Sequence, residues 1–160
     1  MAENIAVFCC GGTIDKLYFD AKSDYRVGPP AAIDAFRRAR VEIFPPVSLM
    51  KKDSLDMDNG DRAVVVAALR DCPQSRILIT HGSDTMPETA RAVETAGLDK
   101  TVVLVGAWLP AAFIKSDSNF NIGFGLAVAM TLSAGVYVAM NGKILPAETV
   151  KKNRKAGCFE

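Results

Sequence analysis

Two short polar segments, each placed after an apolar run, carry the residue types of a substrate site. The first is Thr13 in GGTID, which follows the run Ile5–Cys10. The second is Ser83-Asp84 in THGSDTMPETA, which follows the run Arg76–Thr80. A hydroxyl becomes a nucleophile when a neighbour accepts its proton, and a carboxylate can hold a cationic group. Ligands of open α/β sheets bind beyond the carboxyl ends of the strands. The sequence therefore predicts that the two segments converge on one pocket at one edge of a sheet.

Each of these residues also has an ordinary structural interpretation. Thr13 suits a turn after two glycines, and Ser83 or Asp84 suits the N-cap of a helix that starts at Pro87. His81 is the sole histidine of the chain, and we expect a backbone partner to satisfy it. Because there is no second histidine, the residues do not predict a zinc site.

Two further polar loops are candidates for the same pocket. One holds Ser54, Asp56 and Asp58, which resemble the start of a calcium loop. The pattern fails at once, because Asp61 stands where the calcium loop requires glycine. The other loop is SDS at 116–118, for which a helix N-cap is the structural alternative.

Composition limits the class of protein. The chain has 160 residues, of which 49% are hydrophobic, and its formal net charge is +1. These values predict one globular domain whose partners are neither nucleic acid nor membrane. The basic residues of the last part of the sequence are interpreted as a solvated face: Lys143, Lys151, Lys152, Arg154 and Lys155.

The cysteines and the lack of certain motifs indicate a cellular compartment and exclude some classes of ligand. Cys9, Cys10, Cys72 and Cys158 have no zinc-type spacing, so we interpret them as reduced thiols of a cytoplasmic protein. The start MAENIAVF has an acid and no basic residue, which argues against a signal peptide. GGTID lacks the lysine and the spacing of a phosphate-binding loop, so no nucleotide is expected.

Strand and helix patterns alternate along the chain, which is typical of βαβ units and a parallel sheet. Apolar runs predict strands at 5–10, 41–44, 76–80, 101–105 and 136–140. Helices are predicted at 29–38, 61–71, 87–96 and from an Asn119 or Asn121 cap to about 132. Residues 13–28 are predicted to be irregular, and 147–160 to be helical or loosely packed.

The polar motifs, taken in order, resemble the bacterial-type L-asparaginase family. GGTID at 11–15 and THGSDTMPETA at 80–90 are similar to its two signature motifs. Further matches are SLDMD at 54–58 with its substrate loop, VVLVGAWLP at 102–110 with a VVLVGAM-type strand, SDSNFN at 116–121 with an SDGPFN-type loop, and VYVAMNGK at 136–143 with a VLVVMND-type strand.

The resemblance implies a fold and a domain organisation. It implies a three-layer α/β/α domain with a mostly parallel central sheet, equivalent to the N-terminal domain of the two-domain family enzymes. We therefore predict that 1–160 is a single domain of this type, without the C-terminal domain. A homo-oligomer is expected by the same analogy.

The resemblance also implies hydrolysis of asparagine or a related small amide to the acid and ammonia, without a cofactor. Thr13 matches the nucleophile that forms the acyl-enzyme, and Tyr25 matches the tyrosine that hydrogen-bonds its hydroxyl. Ser83 stands where the family has a second catalytic threonine, and Asp84 matches the neighbouring aspartate, which also takes the α-ammonium of the substrate. Ser54 matches the serine that binds the substrate α-carboxylate.

One departure from the family pattern favours an alternative. The resemblance implies a catalytic lysine, expected on the helix before the strand at 136–140, where this chain reads GLAVAMTLSAG. That segment contains no lysine, so Ser83 and Asp84 are expected to lack a basic partner. The alternative function is a catalytically weak or inactive amino-acid-binding module, or an assembly subunit of a larger amidase.

Overall fold

A six-stranded sheet, covered on both faces, forms the centre of the molecule. The computed structural model describes residues 5–160. The strands of the main sheet are β1 (Ile5–Gly11), β4 (Val47–Lys52), β5 (Arg76–Thr80), β6 (Thr101–Val105), β7 (Gly135–Met140) and β8 (Lys143–Pro146). Their order is β4-β1-β5-β6-β7-β8, and every neighbouring pair is parallel except β7 and β8. The expected α/β fold with a mostly parallel sheet is confirmed.

Four helices cover the sheet, because each buries apolar side chains against it. They are α1 (Ala31–Ala39), α2 (Asn59–Asp71), α3 (Met86–Thr95) and α4 (Ser118–Thr131). The core on one face contains α2 and α3 side chains such as Leu69 and Ala90 together with Cys10 of β1. The core on the other face contains side chains of α1 and α4, such as Phe36, together with Cys9 of β1. The three-layer arrangement follows from this division.

Two hairpins lie outside the main sheet, in segments that the sequence did not identify as strands. The pair β2 (Lys16–Phe19) and β3 (Asp24–Val27) is antiparallel and replaces the irregular segment expected after Thr13. The pair β9 (Lys152–Asn153) and β10 (Cys158–Phe159) is also antiparallel, in a region expected to be helical or loosely packed. Short 3-10 turns occur at Thr13–Asp15, Asp20–Lys22 and Ser54–Asp56.

Two further predictions about elements were wrong. Residues 41–44 form no strand; the edge strand is β4, which begins after Pro45-Pro46 and pairs with β1. The N-cap of α4 is Asp117, not Asn119 or Asn121. Asn121 is fully buried, and its amide donates to the Gly106 carbonyl at 3.1 Å, so this side chain ties α4 to the sheet.

Within residues 5–160, no helix is both long and apolar enough to cross a bilayer. Over the same range, no three His, Cys, Asp or Glu side chains cluster closely enough to hold a metal ion.

Candidate active site

The turns that follow β1 and β5 lie against each other, backbone to backbone. A Cβ atom placed on Gly12 would fall 2.3 Å from the Gly82 Cα, and Gly12 has φ +90°, a conformation that favours glycine. A Cβ on Gly82 would in turn fall 2.5 Å from Ser54 Oγ. The three polar loops that carry Thr13, Ser83 and Ser54 therefore meet at the carboxyl end of the sheet.

A lysine from the second hairpin reaches into this meeting point. Lys152 Nζ donates to Ser83 Oγ at 2.9 Å and to Asp84 Oδ1 at 2.8 Å. The Lys152 side chain is only 11% exposed. The expectation that Ser83 and Asp84 lack a basic partner is therefore wrong, because β9 supplies the lysine instead of the helix before β7.

The sequence carries only a short signal for Lys152, an apolar residue at 150 before two lysines. In the structure Val150 is buried, Lys151 is exposed and Lys152 is half-buried, which is the inward-outward alternation of extended chain. The basic cluster was interpreted as a wholly solvated face, and that interpretation is wrong for Lys152. The alternation covers too few residues to be distinguished from a charged tail without tertiary contacts.

Two more side chains surround the lysine and its carboxylate partner. Arg154 Nη1 lies 3.2 Å from the same Asp84 oxygen that Lys152 contacts. The face of the Trp108 ring lies 4.9 Å from Lys152 Nζ, measured to the ring centre. Two cations therefore share one oxygen of Asp84.

Ser54 is placed by α3 and by the turn before it. Ser54 is 1% exposed, and its carbonyl accepts from Thr85 Oγ1 at 2.7 Å. Thr85 is the N-cap residue of α3, and neither Ser83 nor Asp84 caps that helix through its side chain. Ser83 and Asp84 therefore do not cap α3 through their side chains, and both side chains bond to Lys152 instead.

Tyr25 lies on the hairpin that follows Thr13. It lies on β3 with 44% of its surface exposed and packs against Tyr18 and Phe113, at ring-centre distances of 5.5 and 6.0 Å. Among the hydrogen bonds of residues 5–160, none joins Tyr25 to Thr13. The structure thus groups Thr13, Ser83, Asp84 and Ser54 and leaves Tyr25 on the neighbouring hairpin.

His81 and Asp15 flank the site and have structural partners. His81 is fully buried, with Nδ1 2.7 Å from the Gly82 carbonyl and Nε2 2.9 Å from Thr89 Oγ1, which confirms its structural role. Burial lowers the pKa of His81 to about 4. Asp15 Oδ1 accepts from the Ala31 amide at 2.7 Å, and burial raises the pKa of Asp15 to about 7.

Fold and site together define a three-layer α/β domain with a hydroxyl–lysine–aspartate cluster at the carboxyl edge of its sheet. The sequence matches the family described as asparaginase, N-terminal, over residues 4–158. The chain therefore belongs to the asparaginase family, and it matches the N-terminal part of that family.

Relatives with known names support this assignment. The chain is 33% identical to a probable periplasmic L-asparaginase of Haemophilus influenzae and 30% identical to L-asparaginase 2 of Escherichia coli, each match covering 93% of this chain and 46% of the relative. The solved structure of the thermostable L-asparaginase from Thermococcus kodakarensis superposes with a TM-score of 0.85 at 26% identity, over 98% of this chain and 50% of that one. The chain spans about half the length of the relatives it matches.

Proposed function

We propose that this protein hydrolyses the side-chain amide of asparagine, or of a related small amide, to the carboxylic acid and ammonia. The observation that carries the proposal is the position of Lys152 Nζ, within 3 Å of both Ser83 Oγ and Asp84 Oδ1, on the turn whose Gly82 packs against Gly12, the residue before Thr13. A half-buried lysine between a hydroxyl and a carboxylate at the carboxyl edge of a sheet is an arrangement suited to proton transfer.

Thr13 is proposed as the nucleophile. Its oxygen forms a bond to the amide carbon, the carbon–nitrogen bond breaks, and the hydroxyl proton leaves with the nitrogen as part of ammonia. Water then attacks the resulting ester, which releases the acid and restores the hydroxyl. The half-buried position of Thr13, directly after the Gly12–Gly82 contact, supports this role, because close packing of the two turns positions the backbone there.

Ser83 and Lys152 are proposed to serve the charged stages of the reaction. The Lys152 ammonium donates to Ser83 Oγ, which leaves the proton of the Ser83 hydroxyl free to point at the reacting carbonyl oxygen. A donor aimed at a developing oxyanion contributes about 3 to 4 kcal/mol of transition-state stabilisation. The positive charge of Lys152 strengthens that donor.

Asp84 and Ser54 are proposed to bind the two ends of an amino-acid substrate. Asp84 Oδ1 is taken by Lys152 and Arg154, and within residues 5–160 no hydrogen bond is made to Asp84 Oδ2. We assign that oxygen to the α-ammonium group. We assign the Ser54 hydroxyl, which lies against Gly82, as the donor to the α-carboxylate.

Tyr25 is proposed to assist Thr13 after the β2–β3 hairpin moves toward the site. The aromatic contacts of Tyr25 with Tyr18 and Phe113 are exposed, so little burial opposes such a movement. We further propose a homo-oligomer in the cytoplasm that needs no cofactor. Size-exclusion chromatography with light scattering tests the oligomer, and a mass equal to one chain contradicts it.

Ammonia release from asparagine, glutamine and succinamate tests the activity. We expect Thr13→Ala and Lys152→Met each to lower turnover by at least about a hundredfold, and Lys151→Met, the exposed neighbour, to leave it unchanged. Mass spectrometry of the Lys152→Met protein mixed with substrate checks for an ester on Thr13.

The outcome also decides the alternative. Calorimetry that shows asparagine binding, abolished by Asp84→Ala, with no ammonia release by the unaltered protein would establish an amino-acid-binding module instead. No ammonia above the Thr13→Ala background and no binding heat would refute both.

A further inference from the structure

Trp108 is the one tryptophan of the chain, and it lies between the sheet and the second hairpin. It stands three residues after β6 and reaches across to the second hairpin. Its ring faces Lys152 Nζ at 4.9 Å and packs on Phe159, with ring centres 5.8 Å apart. Phe159 and Lys152 are direct partners across the β9–β10 pair, so one ring contacts both members of that pair.

Hydrogen bonds hold both the ring and the backbone of Trp108. Trp108 Nε1 donates to Asn141 Oδ1 at 2.6 Å. The Trp108 backbone N–H donates to the Asp117 carboxylate, at 3.0 and 3.2 Å to its two oxygens. Both the ring and the backbone of this residue are therefore held by side chains from other elements.

Asn121 joins these two supports into one network. Its amide nitrogen donates to Asp117 Oδ2 at 2.8 Å, and its amide oxygen accepts from the Asn141 N–H at 3.0 Å. The SDSNFN and VYVAMNGK motifs thus meet at Trp108. Neither motif contacts Ser83 or Asp84 through a hydrogen bond in the described range, and the Trp108 ring is one of their links to Lys152. A second link is the Lys143 ammonium, which donates to the carbonyl of Phe159, the strand partner of Lys152, at 3.2 Å.

We propose that Trp108 is a positioning residue that holds the Lys152 ammonium against Ser83 and Asp84, and that Asp117, Asn121 and Asn141 set the orientation of its ring. The proposal rests on the proposed amide hydrolysis for its kinetic readout only.

The physical basis is the mobility of lysine. A lysine side chain has four rotatable bonds and samples many rotamers unless its surroundings restrict it. The aromatic face attracts the ammonium and closes one side of it to water, which leaves the directions of Ser83 and Asp84 for its hydrogen bonds. Loss of the ring therefore releases the ammonium without removing any group that bonds to substrate.

Kinetics of two variants test the proposal. Trp108→Leu removes the ring face and is expected to lower kcat about tenfold with KM changed less than twofold, because Asp84 and Ser54 remain. Trp108→Phe keeps a ring face and is expected to recover most of kcat. Equal kcat for Trp108→Leu and the unaltered protein, or a rise in KM alone, would overturn the proposal.

Tryptophan fluorescence tests the proposal without measuring turnover. It also needs no Trp108 variant, so the stability of such variants does not affect it. Emission excited selectively from the sole tryptophan is expected to change in Lys152→Met and to stay unchanged in the control Lys151→Met. Asn141→Ala, which frees the ring nitrogen, is expected to shift the emission toward that of exposed tryptophan. Identical spectra for Lys152→Met and the unaltered protein would show that ring and ammonium are not in contact, whether or not the protein hydrolyses amides.

Discussion

Acidification is expected to destabilise this fold through His81, whose ring is completely buried. The Gly82 carbonyl lies 2.7 Å from Nδ1, so Nδ1 carries the proton, and Nε2 accepts from Thr89 Oγ1 at 2.9 Å. The neutral ring is fully satisfied in this tautomer. A second proton on Nε2 would remove that acceptor in a completely buried site, near the positive charge of Arg62.

The direction and the size of the effect follow from the pKa. Burial lowers the pKa of His81 from 6.5 to about 4 in the folded protein. The unfolded chain therefore binds a proton first, so the stability contributed by the neutral ring is present above pH 6.5 and is lost as the pH falls through about 4. At about 1.4 kcal/mol per pKa unit, this difference corresponds to about 3 kcal/mol of unfolding free energy.

The single histidine allows a direct measurement. The proton NMR resonance of its Cε1–H is expected to show no titration above about pH 5. Urea unfolding of the protein and of His81→Gln at several pH values isolates its share, since the difference between the two should shrink as the pH falls from about 7 to about 4. A resonance that titrates near pH 6.5 would refute the reasoning.

Three substitutions, one in the turn after β1 and two in α4, give further tests. Asp15→Asn keeps the acceptor for the Ala31 N–H and removes a buried charge. It should therefore raise the unfolding free energy by up to about 4 kcal/mol above pH 8 and change it little near pH 4. Urea unfolding that shows no pH-dependent gain contradicts this expectation. Gly125→Ala should lower the melting temperature, because its Cβ would fall 2.2 Å from Val105 Cγ1. The matched Gly123→Ala, two residues earlier in α4 with nothing within 4 Å, should instead raise stability by about 0.5 to 1 kcal/mol, and equal effects of the two would refute the packing argument.

The buried strands were the most predictable part of the fold. The observed bounds of β5 and β6 coincide with the predicted ones, because uninterrupted apolar residues between polar turns are typical of strands covered on both faces. Edge and hairpin strands were missed. Residues 41–44 have the composition of a strand, but Pro45-Pro46 separates them from the segment that pairs with β1.

The candidate site was predictable where residues close in sequence share a turn. Ser83 and Asp84 were found because they directly follow a strand, and the contact of their turn with Gly12 follows from the parallel pairing of β1 and β5. Lys152 was not found, since its role depends on a two-residue strand and on contacts with a distant part of the chain. Local patterns carry no information about such contacts.

The interval of 69 residues between Ser83 and Lys152 imposes an order of assembly on the site. A growing polypeptide can form the β1–β5 turn contact while the hairpin that brings the ammonium has yet to be synthesised. Contacts between distant segments must also await closure of the intervening chain. Under the proposed function, the site is complete only once this hairpin has folded, so an emerging chain is expected to leave amides intact, its own asparagine and glutamine side chains included.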